Sequence, residues 1–206
     1  MRSWSLFWSG FFHPIFLPTF VALLAFWLQP FELLYYPPQL QIMVLLQVFV
    51  MATALPMGAI FLLMRFNKVS SVMVEERSER NLPYLIQALC LASLVFVFRR
   101  MGVANVLVMS AVGAMLAVLA AWYINRRWKI SAHAIGMGGL AAFIFALHHS
   151  AQQPVFLPLL FAIIFAGIVG SARLQLQAHS PKQIYAGYFL GIGCMLLAMI
   201  PYWLKF

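Results

Sequence analysis

Seven uncharged, apolar stretches, each close to the length of one bilayer crossing, dominate this chain. A transmembrane helix needs about 20 mainly apolar residues, and only helices or closed barrels satisfy their backbone polar groups in lipid. The stretches are residues 11–28, 40–64, 82–98, 103–124, 131–147, 155–170 and 183–204. We therefore predict an all-α polytopic transmembrane helix bundle of six to seven spans, in which residues 1–206 form a single integral membrane domain.

Composition supports this class of protein. Apolar residues make up 65% of the chain and charged residues 8%, and the mean hydropathy is +0.95. These values exclude an ordinary soluble domain. We expect a multi-pass protein of the bacterial cytoplasmic (inner) membrane with no nucleic-acid partner, and the sequence leaves the oligomeric state open.

The basic residues gather on one face of the predicted bundle. Two spans separate residues 65–81 from 126–129, and two more separate 126–129 from 173–182, so all three segments emerge on the same side. These segments hold nine of the thirteen basic residues, and Arg2, which is expected on the same face, makes ten. The positive-inside rule would make this face cytoplasmic, but arginines that hold an anionic ligand would give the same distribution. The charge pattern alone does not separate the two causes.

Two histidines lie at predicted helix starts on this face. Ser131 is a good N-cap and places His133 in the first turn of its helix, while Ser180 and Pro181 begin another helix directly after His179. Helix N-termini present unpaired N–H groups and a partial positive charge that attract phosphate or carboxylate. The sequence therefore predicts an anion pocket at this membrane face.

Two short segments resemble signatures of the type 2 phosphatidic acid phosphatase superfamily. Ser131-Ala132-His133 is similar to the Ser-Gly-His part of the second signature. Arg173, followed by five residues and His179 and then by Ala186-Gly187, is similar to the third. The resemblance covers residues 77–190, within a related core of about 68–206, and implies a metal-independent phosphatase without a cofactor that acts on a lipid phosphate or a polyprenyl pyrophosphate.

The resemblance also implies roles for individual residues. His179 would be the nucleophile that takes the phosphoryl group, His133 the general acid that protonates the leaving oxygen, and Arg173 a phosphate clamp. Arginine matches phosphate oxygens bidentately, and an imidazole nucleophile splits a difficult displacement into two steps. Further phosphate contacts are expected from Arg77, Arg80, Lys129 and Ser131.

Gln183 marks the clearest departure from the family pattern. It stands four residues after His179, where the family has the aspartate that orients and charges the nucleophile, and the chain contains no aspartate. An amide oxygen can fix the tautomer of His179 but does not stabilise an imidazolium as a carboxylate does. A non-catalytic lipid-phosphate binder or carrier is therefore the main alternative function.

A second pattern points to a different class of enzyme. Glu75, Glu76 and Arg80 fit the Glu-Glu-x-x-x-Arg motif of the CAAX-processing type of intramembrane protease, and Phe145 with His149 fits its Phe-x-x-x-His motif. The span count places His149 on the face opposite the glutamates. We keep this protease as a minor alternative.

Overall fold

The computed structural model describes residues 2–204, and this part of the chain is helical with no β-strand. The helices are α1 (Arg2–Phe11), α2 (Leu17–Leu28), α3 (Pro38–Arg65), α4 (Asn81–Met101), α5 (Asn105–Asn125), α6 (Ala132–Ala146), α7 (Phe156–Gln175) and α8 (Pro181–Trp203). Within α3, residues Phe49–Ala54 form a π-helical segment. A 3₁₀ turn, Ser78–Arg80, leads into α4. The prediction of an all-α fold is confirmed.

Five of these helices, α3, α4, α5, α7 and α8, are long and apolar enough to cross a membrane. This is the pattern of a multi-pass membrane protein. Helices α2 and α6 are apolar but span only 12 and 15 residues. Each of the seven predicted stretches thus contains a helix. Of these seven helices, five are long and apolar enough to span a membrane.

The first predicted span is interrupted. Residues 12–16 form a turn between α1 and α2, and Pro14 within this turn has no N–H group to extend a helix. Helix α1 presents a reversed polarity, since Ser5 and Ser9 are buried while Trp4, Phe7 and Phe11 are exposed. Its apolar side faces outward, as expected for a helix in contact with lipid, and its polar side faces the bundle.

Helices α6 and α8 pack backbone against backbone. A Cβ atom added at Gly187 would lie 2.8 Å from the Ser131 carbonyl oxygen, and one added at Gly191 would collide with the carbonyl of Ile135. Small residues permit this close approach between membrane helices. The Ser131 N–H also donates to the Gln183 carbonyl oxygen at 3.3 Å, which ties the first turns of the two helices together. The two predicted histidine-bearing helix starts therefore lie side by side.

Candidate functional site

One cavity of about 170 Å³ brings together four of the eight predicted site residues. His133, Arg173 and His179 line it, joined by Arg80 and His13. The five side chains come from α6, α7, the turn before α8, the turn before α4 and the turn after α1. All five are at least nine-tenths buried. The rest of the cavity wall is largely apolar.

Arg173 is the most unusual residue of the cavity. It exposes 1% of its surface, yet within residues 2–204 its Nε and Nη1 atoms have no hydrogen-bond partner. Among the described residues its salt-bridge partner is Glu75, whose Oε1 lies 3.8 Å from Nη2 and whose side chain is half exposed. Buried charged groups are normally paired and fully hydrogen-bonded. A guanidinium with two unused N–H directions in a cavity is therefore a strong attractor for an anion.

His179 is held as a neutral imidazole. The Gln183 Oε1 atom lies 3.1 Å from Nδ1 of His179, and because an amide oxygen only accepts, Nδ1 carries the hydrogen. Burial and the charge of Arg80 lower the pKa of His179 from 6.5 to about 3, although the Gln183 hydrogen bond opposes this shift. The lone pair is therefore on Nε2 at neutral pH. A neutral imidazole with a free lone pair is the form that acts as a nucleophile.

His133 is oriented by α1. Its Nε2–H donates to the Ser9 carbonyl oxygen at 3.0 Å. The remaining ring nitrogen, Nδ1, is then the one that can exchange a proton with a ligand in the cavity. Ser9 was not predicted as part of the site, because a backbone carbonyl contact leaves no mark in the sequence.

His13 is a third histidine on the cavity wall. Its ring centre lies 5.4 Å from that of His133, and its Nδ1 accepts the Ile15 N–H at 3.4 Å. Burial, helped by the charge of Arg173, lowers the pKa of His13 to about 4, although a hydrogen bond to the backbone of Val72 opposes the shift. The sequence signal for His13 was weak, because a histidine before Pro14 at the start of an apolar stretch is more typical of a helix start than of a ligand site.

Arg80 lines the cavity, but three of its donors are used within the protein. Its Nε donates to the Val74 carbonyl at 2.9 Å, its Nη1 to the Ile130 carbonyl at 2.9 Å and its Nη2 to the Glu75 carbonyl at 3.3 Å. Arg80 thereby fixes the segment before α4 against the segment before α6. Its charge still acts on the cavity, but its guanidinium is largely committed to the backbone.

The other predicted residues lie outside the cavity wall. Arg77 is exposed and donates to the Arg127 carbonyl at 2.7 Å. Ser131 is fully buried and caps α6, since its Oγ accepts the Ala134 N–H at 3.4 Å. Lys129 is partly exposed and does not line the cavity, and burial together with the neighbouring Arg80 lowers its pKa. Gln183 does not line the cavity, but its Oε1 atom contacts His179, which does.

The predicted protease motif is divided by the structure. Glu75 lies at the Arg173 end of the bundle, whereas His149 follows the far end of α6, which is about 22 Å long at the α-helical rise. Among the described residues, no group of three or more His, Cys, Asp or Glu side chains is placed to hold a metal ion. Glu75 contributes instead to the electrostatics of Arg173, a contact that sequence spacing did not suggest.

Comparison of the chain with protein-family models, curated proteins and solved structures finds no match. The function must therefore be argued from the site itself: one buried guanidinium with unused donors, neutral imidazoles around it, and an apolar space that continues from them.

Proposed function

We propose that this protein binds the phosphate or pyrophosphate head group of a membrane lipid at Arg173 and removes the terminal phosphate through His179. The observation that carries this proposal is the buried Arg173 with its unpartnered Nε and Nη1 atoms in a cavity that also contains His133 and His179. A phosphate group would supply acceptors for both donors. We also propose that the chain is a divergent member of the type 2 phosphatidic acid phosphatase superfamily.

The proposed reaction has two steps. The Nε2 lone pair of His179 attacks phosphorus, and a nitrogen–phosphorus bond forms as the bond to the lipid oxygen breaks. The substrate enters as the phosphate monoanion, and its proton passes to Nδ1 of His133 and from there to the leaving oxygen, which gives the lipid alcohol. Water then attacks the phosphohistidine and loses a proton to His133, which returns it to the inorganic phosphate as that leaves. Arg173 would bind the phosphoryl oxygens in both steps, where negative charge is greatest.

Gln183 favours the second candidate function, a lipid-phosphate binder or carrier without turnover. The phosphohistidine intermediate carries positive charge on its ring, and the amide of Gln183 offers only a dipole against it. Loss of a carboxylate at the equivalent place of a serine protease triad costs about 10⁴ in turnover. Head-group binding at Arg173 needs no carboxylate, so this alternative uses the same site.

The protease alternative has less support, because Glu75 and His149 lie at opposite ends of α6. The membrane assignment of the proposal, the bacterial cytoplasmic membrane with the Arg173 end cytoplasmic, is supported by five apolar helices and by the basic residues gathered near that end.

Phosphate release by the purified protein in detergent with a chelator tests the proposal. The substrates are phosphatidic acid, phosphatidylglycerol phosphate and a polyprenyl pyrophosphate, each offered to the wild type, His179→Ala and Arg173→Ala. We expect chelator-resistant release that His179→Ala abolishes, with weaker lipid binding in Arg173→Ala. Binding that requires Arg173 but never yields phosphate would establish the carrier. Equal activity of His179→Ala and the wild type would disprove the nucleophile assignment.

A further inference from the structure

The cavity that contains Arg173 continues far beyond it along the helices. On α4 its wall includes Tyr84 and Phe98, and on α5 it includes Ala121 and Leu107. At the α-helical rise, each of these pairs is separated by about 21 Å along its helix axis. The hydrocarbon core of a bilayer is about 30 Å thick, so one leaflet accounts for about 15 Å. The cavity is therefore longer than a leaflet is deep.

Helix α5 creates this space because its side chains there are small. The short residues of α5 on the cavity wall are Ser110, Ala111, Ala114, Ala117 and Ala121, together with Gly113, which packs closely against Met195. The facing wall carries larger apolar residues, including Leu91 and Leu94 of α4 and Met195 of α8. A row of small residues opposite bulky ones leaves a channel that runs parallel to both helices.

The channel is narrow and closed at its far end. Leu94, Phe98 and Leu107, which line that end, each expose 2% or less of their surface. A volume of about 170 Å³ distributed along this length makes a thin channel and not a chamber. Of the lining residues that are partly exposed, Pro14, Pro83 and Tyr84 lie near the Arg173 end, and Ala114 and Val118 lie near the middle of α5. The charged end of the channel is therefore open, whereas its far end is closed.

The two ends of this space differ in chemistry as the two ends of a lipid do. Arg173 and the histidines occupy the open end, and aliphatic and aromatic side chains surround the rest. We propose that the channel binds one hydrocarbon tail, which runs inside the helix bundle from Arg173 toward Phe98 and Leu107. This inference rests on the proposed function and adds the substrate class, namely single-chain lipid phosphates in preference to diacyl lipids.

A chain-length series of soluble ligands tests the channel. Butyl, hexyl, octyl and decyl phosphate would be titrated calorimetrically into the detergent-solubilised protein, with a correction for uptake by protein-free micelles. Burial of one methylene contributes about 0.8 kcal/mol, so affinity should rise up to about fourfold for each added methylene. Dihexanoyl phosphatidic acid, which carries two chains, should bind no more tightly than hexyl phosphate.

Two substitutions address the channel itself. Ala114→Leu places extra volume in the middle of the channel, so the ratio of wild-type to variant affinity should grow with chain length. The matched control is Ala120→Leu on the same helix, because Ala120 is also partly exposed but does not line the cavity. Phe98→Leu enlarges the closed end without inserting volume, so it should increase the affinity for hexadecyl phosphate, whose extended chain is long enough to reach that end, relative to decyl phosphate, whose chain ends near the middle of the channel.

The outcomes separate this inference from the function on which it rests. If butyl phosphate fails to bind, or binds equally to Arg173→Met, the head-group site is wrong and the channel inference falls with it. If butyl phosphate binding requires Arg173 but Ala114→Leu and Phe98→Leu both keep the wild-type chain-length series, the tail does not enter the channel. Tighter binding of the two-chain ligand would overturn the preference for single chains.

Discussion

The Oε1 atom of Gln183 lies 3.1 Å from Nδ1 of His179 and 3.1 Å from the backbone nitrogen of Ser180. The second contact is the glutamine half of a capping box at the start of α8. One amide oxygen therefore holds both the helix start and the tautomer of the proposed nucleophile. This double contact decides which carboxylate can best replace the amide: glutamate has the same length and also suits a capping box, whereas aspartate is one methylene shorter.

We predict that Gln183→Glu raises phosphate release by orders of magnitude. The carboxylate would stabilise the charged ring of the phosphohistidine, an effect worth about 10⁴ in the serine protease case, and it would raise the pKa of His179 from about 3. Gln183→Asp should raise turnover less. Gln153→Glu, the same change at an exposed site beyond the far end of α6, is the control. Steady-state release of phosphate measures the effect, and equal rates for Gln183→Glu and Gln153→Glu would contradict it.

Replacement of Arg173 should stabilise the empty protein. A buried cation with unpaired donors is costly, and apolar replacements of buried ionic groups can add about 1–4 kcal/mol of stability. We expect Arg173→Met to raise the thermal midpoint without ligand and to lose the stabilisation by phosphate, which is about 2.7 kcal/mol for the wild type at 100 times Kd. Arg127→Met, at an exposed arginine, should change neither quantity. A lower midpoint for Arg173→Met without ligand would show that Arg173 is satisfied in the empty protein.

Stability should decline as the pH falls below 6.5. The pKa values of His13 and His179 are lowered to about 4 and about 3 in the folded protein. Below pH 6.5 the unfolded chain therefore binds more protons than the folded chain. Each histidine removes up to about 1.4 kcal/mol per pH unit, His13 down to pH 4 and His179 down to pH 3. Thermal midpoints measured between pH 7 and pH 4 test this. His13→Gln should reduce the dependence of stability on pH by the contribution of one proton. An unchanged pH dependence would contradict the burial of a neutral His13.

We predict that the Arg80 side chain stabilises the fold and that the Arg77 side chain contributes little. Arg80→Lys retains the charge but loses most of the three contacts to backbone carbonyls, each worth about 1.5–3 kcal/mol for a charged donor. We expect a loss of about 3 kcal/mol and faster cleavage of the segment before α4 by a glutamate-specific protease. Arg77→Lys loses one exposed contact and should stay within about 0.5 kcal/mol of the wild type. Similar effects of the two changes would show that the Arg80 contacts do not hold the segment.

Hydrophobicity and charge spacing were sufficient to predict an all-helical membrane protein. In lipid, the backbone N–H and C=O groups of each segment must hydrogen-bond within that segment, and a helix achieves this. The break at Pro14 was not predicted, since a proline near the start of an apolar stretch is equally compatible with a continuous helix. The spacing of the apolar stretches also predicted that His133, Arg173 and His179 lie at one face of the membrane. It did not distinguish Arg80, which donates to three carbonyls, from Arg77, because both are arginines on one polar segment and only the folded backbone determines which of them meets those carbonyls.

The cavity itself was beyond sequence reasoning. Ala114 and Ala117 read as ordinary small residues of a membrane helix, and only the position of α4 opposite them turns their small size into open space. Glu75 was assigned to a motif with His149 on spacing alone, while in three dimensions its carboxylate lies beside Arg173. Local patterns identify the chemical groups of this site, and the arrangement of the helices determines which of them meet.

Gly191 sets a mechanical limit on the site. One added methyl group there would collide with the carbonyl of Ile135, so the backbones of α6 and α8 are in direct contact at this point. Two helices joined in this way move as one rigid body, so the histidines at their neighbouring ends keep a constant separation. The motion that admits and releases a ligand then falls to α1, α2 and the polar segment before α4. We therefore expect the entry and release of a lipid in the proposed phosphatase to leave the spacing of its imidazoles unchanged.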